Sequence, residues 1–121
     1  MLEDRFAQHD KEVVDKFHDP SANYAMNTRD YVMRPSATEA TGPITITLPP
    51  VAEAKGRFYS ILTRAADAVN SVTITHRDDS ECWTDDVVHY DSCTPSLWYS
   101  DGRYWHMVGA FRFDWDDLFP K

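Results

Sequence analysis

The stretch "PITITLPP", residues 43–50, decides how the rest of the chain is read. Ile44, Ile46 and Leu48 fall on one side of an extended backbone and Thr45 and Thr47 on the other. This is the period-two pattern of a half-buried strand, and Pro49-Pro50 ends it because proline cannot donate to a ladder. The pattern returns in "NSVTITH" (70–76), with Val72 and Ile74 inward and Thr73 and Thr75 outward. Between the two, "VAEAKG" closes at Gly56 as a turn or helical loop, and "RFYSILT" (57–63) reads as a further strand. No helix of crossover length separates these strands, so a meander, sandwich or barrel is expected in place of an α/β unit.

Moving toward the C-terminus, "RDDSECWTDDVVHYDSC" (77–93) is acidic at its turns and apolar at Cys82, Trp83, Val87, Val88 and Tyr90. Two short strands joined by Asp85-Asp86 are expected there. In "SLWYSDGRYWHMVG" (96–109), Asp101-Gly102 supplies the positive-φ conformations of a tight hairpin. Alternation beyond it places Trp105 and Met107 on one face and Tyr104, His106 and Val108 on the other. Rings on both faces imply that one covers the core and the other meets something else, either the same chain or a sister subunit.

The two ends differ from this body. Leu2, Phe6, Val13 and Phe17, with Val14 beside them, lie on one stripe of a helix predicted over residues 2–18 and stopped at Asp19-Pro20. That stripe packs on its own domain or docks on another chain. Residues 21–41 are polar, with only "DYVM" (30–33) resembling a short strand, and read as a linker or extended arm. In the tail, Phe111, Phe113 and Trp115 alternate with Arg112 and Asp114 before Leu118-Phe119; this is a core strand or one that lies across a neighbour. The expected organisation is therefore an N-terminal helix and arm over 1–41, a β-module over 42–109 and an aromatic tail over 110–121.

The totals narrow the function. A chain of 121 residues is one domain by length, and its 42% hydrophobic and 13% aromatic content can fill a core. Twenty acidic against twelve basic residues give a formal net charge of −8, which repels phosphate backbones and anionic lipid surfaces, so neither nucleic acid nor membrane is an expected partner. The start "MLEDRFAQHDKEVV" has neither a basic leader nor an apolar segment, and synthesis in the cytoplasm without the usual secretion signal is expected. Cys82 and Cys93 then read as two free thiols, in no zinc or redox pattern.

Reactive residue types are present without a catalytic pattern. Asp78, Asp79, Glu81, His89 and Asp91 match no calcium or zinc loop and read as solvated turn carboxylates with a scattered histidine. No G-x-S-x-G elbow or glycine-rich phosphate loop occurs, and nothing among the acids selects a glycosidase pair. No enzyme activity, cofactor or metal is expected.

Taken in order, "GPITITLPPVAEAKGRFYSI", "NSVTI" and "LWYSDGRYWHMV" resemble a module of virion proteins in tailed bacteriophages, found in head decoration proteins and in head or tail fibres. The matching positions are Thr45, Thr47, Leu48, Pro49, Ala52, Ala54, Lys55, Gly56, Tyr59, Ile61, Asn70, Val72, Thr73, Ile74, Ser100, Asp101, Gly102 and Trp105, within residues 42–108. The family is most familiar with a simpler, Gly/Thr/Ala-rich turn where this chain has residues 76–93. The resemblance implies a small β-rich module, commonly trimeric, that binds a capsid or extends from a virion.

The combined expectation is an all-β protein, a small sandwich or Greek-key-like barrel of seven or eight strands. It would form a homotrimer on the capsid surface and cement the head by contact with the major capsid protein. Its contact residues would be Leu2, Phe6, Val13, Val14, Phe17, Phe111, Phe113, Trp115 and Phe119. The alternative is a fibre or receptor-binding protein that stacks host glycans on Trp83, Tyr90 or Trp98; a small glycan-degrading enzyme is the third reading.

Overall fold

A computed structural model describes residues 17–110, and over them the chain is all-β. The strands are β1 (Phe17–His18), β2 (Tyr24–Ala25), β3 (Val32–Met33), β4 (Ile44–Thr47), β5 (Phe58–Thr63), β6 (Val72–Thr75), β7 (Val87–His89), β8 (Thr94–Ser100) and β9 (Trp105–Ala110). They form two mixed sheets, a five-stranded one in the order β1-β3-β5-β8-β9 and a four-stranded one in the order β2-β4-β6-β7.

Both repeats of the decisive pattern form as read. Ile44, Ile46, Val72 and Ile74 are inward and buried, and the strands align Ile44 with Val72 and Ile46 with Ile74. The pairing, however, is parallel. From β1 to β6 the chain alternates between the sheets, so β1, β3 and β5 are parallel neighbours in one and β2, β4 and β6 in the other. Parallel neighbours require a crossover, usually helical. Here the crossover from each strand to its neighbour is a strand of the opposite sheet, which corrects the expected meander. The last strands are antiparallel, β7 on β6, β8 on β5 and β9 on β8. No strand pairs into both sheets, so among the described residues the ladders do not close into a barrel.

The boundary expected at residue 42 is not where the body begins. β2 pairs with β4, β3 pairs with β5, and Met26, Met33 and Ala37 are buried in the common core. Polar composition misled here because only alternate residues of these short strands face inward. The expected helix lies mostly outside the described residues; its last positions, Phe17 and His18, are strand, parallel to Val32 and Met33.

The core joins both sheets: Met33, Tyr59, Ile61, Trp98 and Trp105 from one, and Ile44, Ile46, Val72 and Ile74 from the other. Leu48, Pro49, Val51 and Ala54 extend it from the turn after β4. Arg77 ties one end shut, its Nη2 donating to the Met26 carbonyl at 2.6 Å and its Nε to the Leu48 carbonyl at 3.1 Å. Gly56 closes the 51–56 turn with φ +78°, a left-handed conformation that glycine alone adopts without strain.

The hairpin at Asp101-Gly102 forms with a four-residue loop, since Ser100 pairs with Trp105. Asp101 makes the loop by accepting the backbone N–H groups of Arg103 at 2.8 Å and Tyr104 at 2.9 Å. Gly102 has φ +93°, and a Cβ there would sit 2.9 Å from the Lys55 side chain, which lies across the turn. A β-bulge between Leu97 and Trp98 interrupts the expected alternation of β9, so Met107 and Val108 are both exposed.

His89 belongs to this interior. It is 2% exposed, its Nδ1 is 2.7 Å from Thr63 Oγ1, and its Nε2 has no hydrogen-bond partner. Burial lowers its pKa from 6.5 to about 4, so the folded protein holds the ring neutral. The unfolded chain takes up a proton first as pH falls. Stability is therefore full above about pH 6.5 and declines toward pH 4, by about 3 kcal/mol from this one group. Urea titrations at pH 7 and pH 4 are expected to show this loss in the parent and a smaller one in His89→Gln.

Candidate functional site

The outward faces of the two sheets differ in chemistry. On the four-stranded sheet, β4 and β6 turn out Thr45, Thr47, Thr73 and Thr75, paired across the ladder and half-buried. On the five-stranded sheet, the inward row of β5 is Tyr59, Ile61 and Thr63, which leaves Phe58, Ser60 and Leu62 outward. Buried Ser96, Trp98 and Ser100 on β8 likewise leave Pro95, Leu97 and Tyr99 outward. The register sets Leu62 beside Pro95, Ser60 beside Leu97 and Phe58 beside Tyr99, with Val32 of β3 next to Ser60. A face of this composition, with Phe58 48% exposed, is suited to being covered.

An aromatic row crosses one end of this face. The Phe58 and Tyr99 rings are 4.8 Å apart, Tyr99 and His106 6.1 Å, and His106 and Tyr104 4.5 Å. His106 Nε2 is 3.0 Å from Asp101 Oδ2, so the loop residue that shapes the hairpin also aims the last ring. The hydrogen bond from His106, then those from the backbone N–H groups of Tyr104 and Arg103, hold the Asp101 carboxyl at a pKa of about 2. At the β3 side of the same sheet, Arg34 forms a two-pronged pair with Asp19 at 2.6 and 2.9 Å. The β8–β9 turn is preorganised by the hydrogen bonds to the Asp101 carboxylate as well as by Gly102.

The tryptophans expected at a surface are used differently. Trp98 is 3% exposed, and its Nε1 donates to Ser96 Oγ at 2.9 Å. It is therefore no glycan platform, because the unbroken alternation of β8 and its register with β5 set Trp98 beside Tyr59 on the core side. Trp83 is half-buried between His76, at 4.4 Å, and Trp98, at 5.5 Å, both stacked, and its Nε1 donates to Asp86. Of the three rings expected to meet glycans, Tyr90 is exposed, at 55%. Between residues 77 and 93 one strand forms, not two; Cys82 and Trp83 lie in an irregular segment held by ring stacking.

Several acids of that segment serve the fold. Asp79 accepts the Val51 backbone N–H at 3.0 Å, and Glu81 pairs with Arg103 at 3.1 Å. His89 is a core residue. Among the described residues no group of three or more His, Cys, Asp or Glu side chains is placed to hold a metal. Cys82 and Cys93 are exposed and unbridged.

The expected contact residues Leu2, Phe6, Val13, Val14, Phe111, Phe113, Trp115 and Phe119 lie outside the described residues. Phe17 is placed by its backbone in β1, at the edge of the five-stranded sheet. Leu48, Pro49, Tyr59, Val72, Ile74 and Trp105 are all buried, and Gly56 and Gly102 both have positive φ. Sequence reading missed the outward row of β5 and β8. Its signal was present, since "RFYSILT" and "PSLWYS" carry large apolar groups at both parities, where a singly covered strand would alternate.

Comparison of the chain with protein-family models, with curated proteins and with solved structures finds no match. The two rows of β8 are separable by mutation. Trp98→Ala should cost about 3–5 kcal/mol in urea unfolding. Leu97→Lys, one position along on the outer face, should cost under about 1 kcal/mol.

Proposed function

We propose that this chain is a structural virion protein of a tailed bacteriophage, a decoration protein that assembles as a homotrimer and cements the head by binding the major capsid protein at the capsid surface. The observation that carries the reading is the apolar outward face of the five-stranded sheet, set against the threonine face of the other sheet. The resemblance across residues 42–108 supplies the biological setting. Within this reading the two sheets are the layers of a small β-sandwich, with the ends of the chain available for gripping neighbours.

Dimensions favour shared work between face and ends. With strands about 4.8 Å apart and a rise of about 3.3 Å per residue, two strands of two residues, two of six and one of seven cover roughly 360 Å² in plan. A stable interface needs about 800 Å² on each partner. The face is therefore short by itself, and in this proposal Phe6, Phe17, Phe111, Phe113 and Trp115 would supply the missing contact. Repetition over many copies multiplies a modest contact.

A fibre that stacks host glycans on Trp83, Tyr90 and Trp98 is the weaker reading, because Trp98 is buried and Trp83 is sandwiched. The test is sedimentation of the purified chain alone and with expanded capsids. A trimer that pellets with capsids is expected, with Leu97→Asp and Phe58→Asp each weakening capsid binding more than about tenfold and Thr73→Asp on the opposite face leaving it unchanged. A monomer that stays in the supernatant, or equal loss in all three variants, overturns the proposal.

A further inference from the structure

The loop before β3 and the first residues of β5 enclose an open groove of about 320 Å³, lined by Thr28, Arg29, Asp30, Tyr31, Arg57 and Phe58. We propose that this groove is a saccharide-binding site. The proposal goes beyond capsid attachment; the groove borders the capsid-facing sheet and shares Phe58 with it, so the site is one of the free protein.

Two properties carry it. The first is the set of groups. Tyr31, 53% exposed, and Phe58, 48% exposed, present aromatic surface to the groove, and a pyranose ring has an apolar face of C–H groups that packs on such rings. Arg29 and Arg57 supply planar donors and Asp30 a carboxylate acceptor, which together satisfy neighbouring hydroxyls that both donate and accept. Cations flanking one acid on a protein of net charge −8 also make this groove tolerant of a sugar carboxylate.

The second is preorganisation, which removes the ordering cost that weakens small-ligand binding. Asn27 Oδ1 accepts the backbone N–H groups of Arg29 at 2.8 Å and Asp30 at 3.2 Å. Asp30 Oδ2 accepts the Asn27 N–H and the Tyr24 hydroxyl, both at 2.9 Å. The Thr28 carbonyl accepts from Arg57 Nη1 at 3.0 Å and from the Tyr59 hydroxyl at 3.2 Å. The loop is thus nailed to β2 and β5, and the Phe58 ring is braced by Tyr99. None of these bonds is needed to build a sheet.

Polar and charged groups in this number distinguish the groove from the apolar face beside it. A nucleotide also combines a ring with an anion and would meet the same Arg29, Arg57 and Asp30, so it is the competing ligand class.

The test is amide NMR titration of the full chain with three probes: a neutral N-acetylglucosamine tetramer, an oligogalacturonate of the same length, and adenosine monophosphate. Saturable shifts centred on residues 28–31 and 57–59 are expected with at least one saccharide, with a dissociation constant on the order of 1 mM. Persistence at high salt assigns the neutral hydroxyl chemistry, and loss at high salt assigns the carboxylate. Phe58→Ala and Arg29→Ala should each weaken binding about tenfold, and Tyr90→Ala should leave it unchanged. Both substituted side chains are exposed, and a retained spectrum elsewhere shows the fold intact. No shifts with either saccharide at 10-fold the expected constant, shifts centred on other residues, or tighter binding of the nucleotide at these amides would each overturn the assignment. The free protein is used, so failure here leaves capsid binding untouched.

Discussion

Each parallel neighbour in this fold obliges the chain to leave a sheet and return to it, and the path between is a strand of the other sheet. That constraint makes the two sheets interdependent. β4 and β6 cannot lie side by side unless β5 has crossed the core between them, and β3 and β5 likewise require β4. Inward Tyr59 and Ile61 on β5 are buried in one cluster with Ile46 and Ile74, so the hydrophobic gain from either ladder exists only once both are present. Such an arrangement has few local contacts to nucleate it, and topology of this kind folds slowly. The antiparallel hairpin of β8 and β9, shaped by Asp101, is the most local structure in the body and the natural place for order to begin.

Strand identity was legible in the sequence because it depends on period two, which a single strand displays by itself. Ile44, Ile46, Val72 and Ile74 show it cleanly, and "RFYSILT" and the Asp101-Gly102 hairpin stand out by composition and turn chemistry. Pairing partners were not legible. Whether Ile44 meets Val72 or a residue of β5 is a property of two segments at once, and the antiparallel alternative satisfies the same pattern. The short strands β1 and β2 were missed for a related reason. Two residues cannot display a period, and Met26, buried beside β2, sits in a polar run that reads as a linker.

The candidate face was only half legible. Double-sided apolar character in β5 and β8 can signal a strand buried on both faces, a strand at an interface, or aromatic excess. Inward burial of Tyr59, Ile61 and Trp98 settles which side belongs to the core and leaves Phe58, Leu62, Leu97 and Tyr99 as the remainder. Trp98 carries the largest ring of β8, and size alone made it attractive as a surface platform. Its indole N–H finds Ser96 Oγ within the same strand, which removes the usual obstacle to burying tryptophan. The partner two residues away is visible in the sequence, although nothing there says that the pair points inward.

The two outward faces differ in hydropathy, and charges of both signs lie around the five-stranded one. Arg29, Arg34 and Arg57 all border the five-stranded sheet, where Arg34 is held by Asp19 and Arg57 by the Thr28 carbonyl. Asp78, Asp85 and Asp86 occupy the segment between β6 and β7 together with Arg77, and that segment also reaches the five-stranded sheet through Trp83 on Trp98 and Glu81 on Arg103. An acidic exterior discourages random contact among copies, and an apolar face on one sheet suits a partner whose contacting surface is apolar. Complementarity of that kind selects orientation as well as affinity, because turning the molecule over would set the threonine face against the same partner. The proposed cement role needs this selectivity: a decoration protein that could seat either way up would leave half its copies with the threonine face on the capsid.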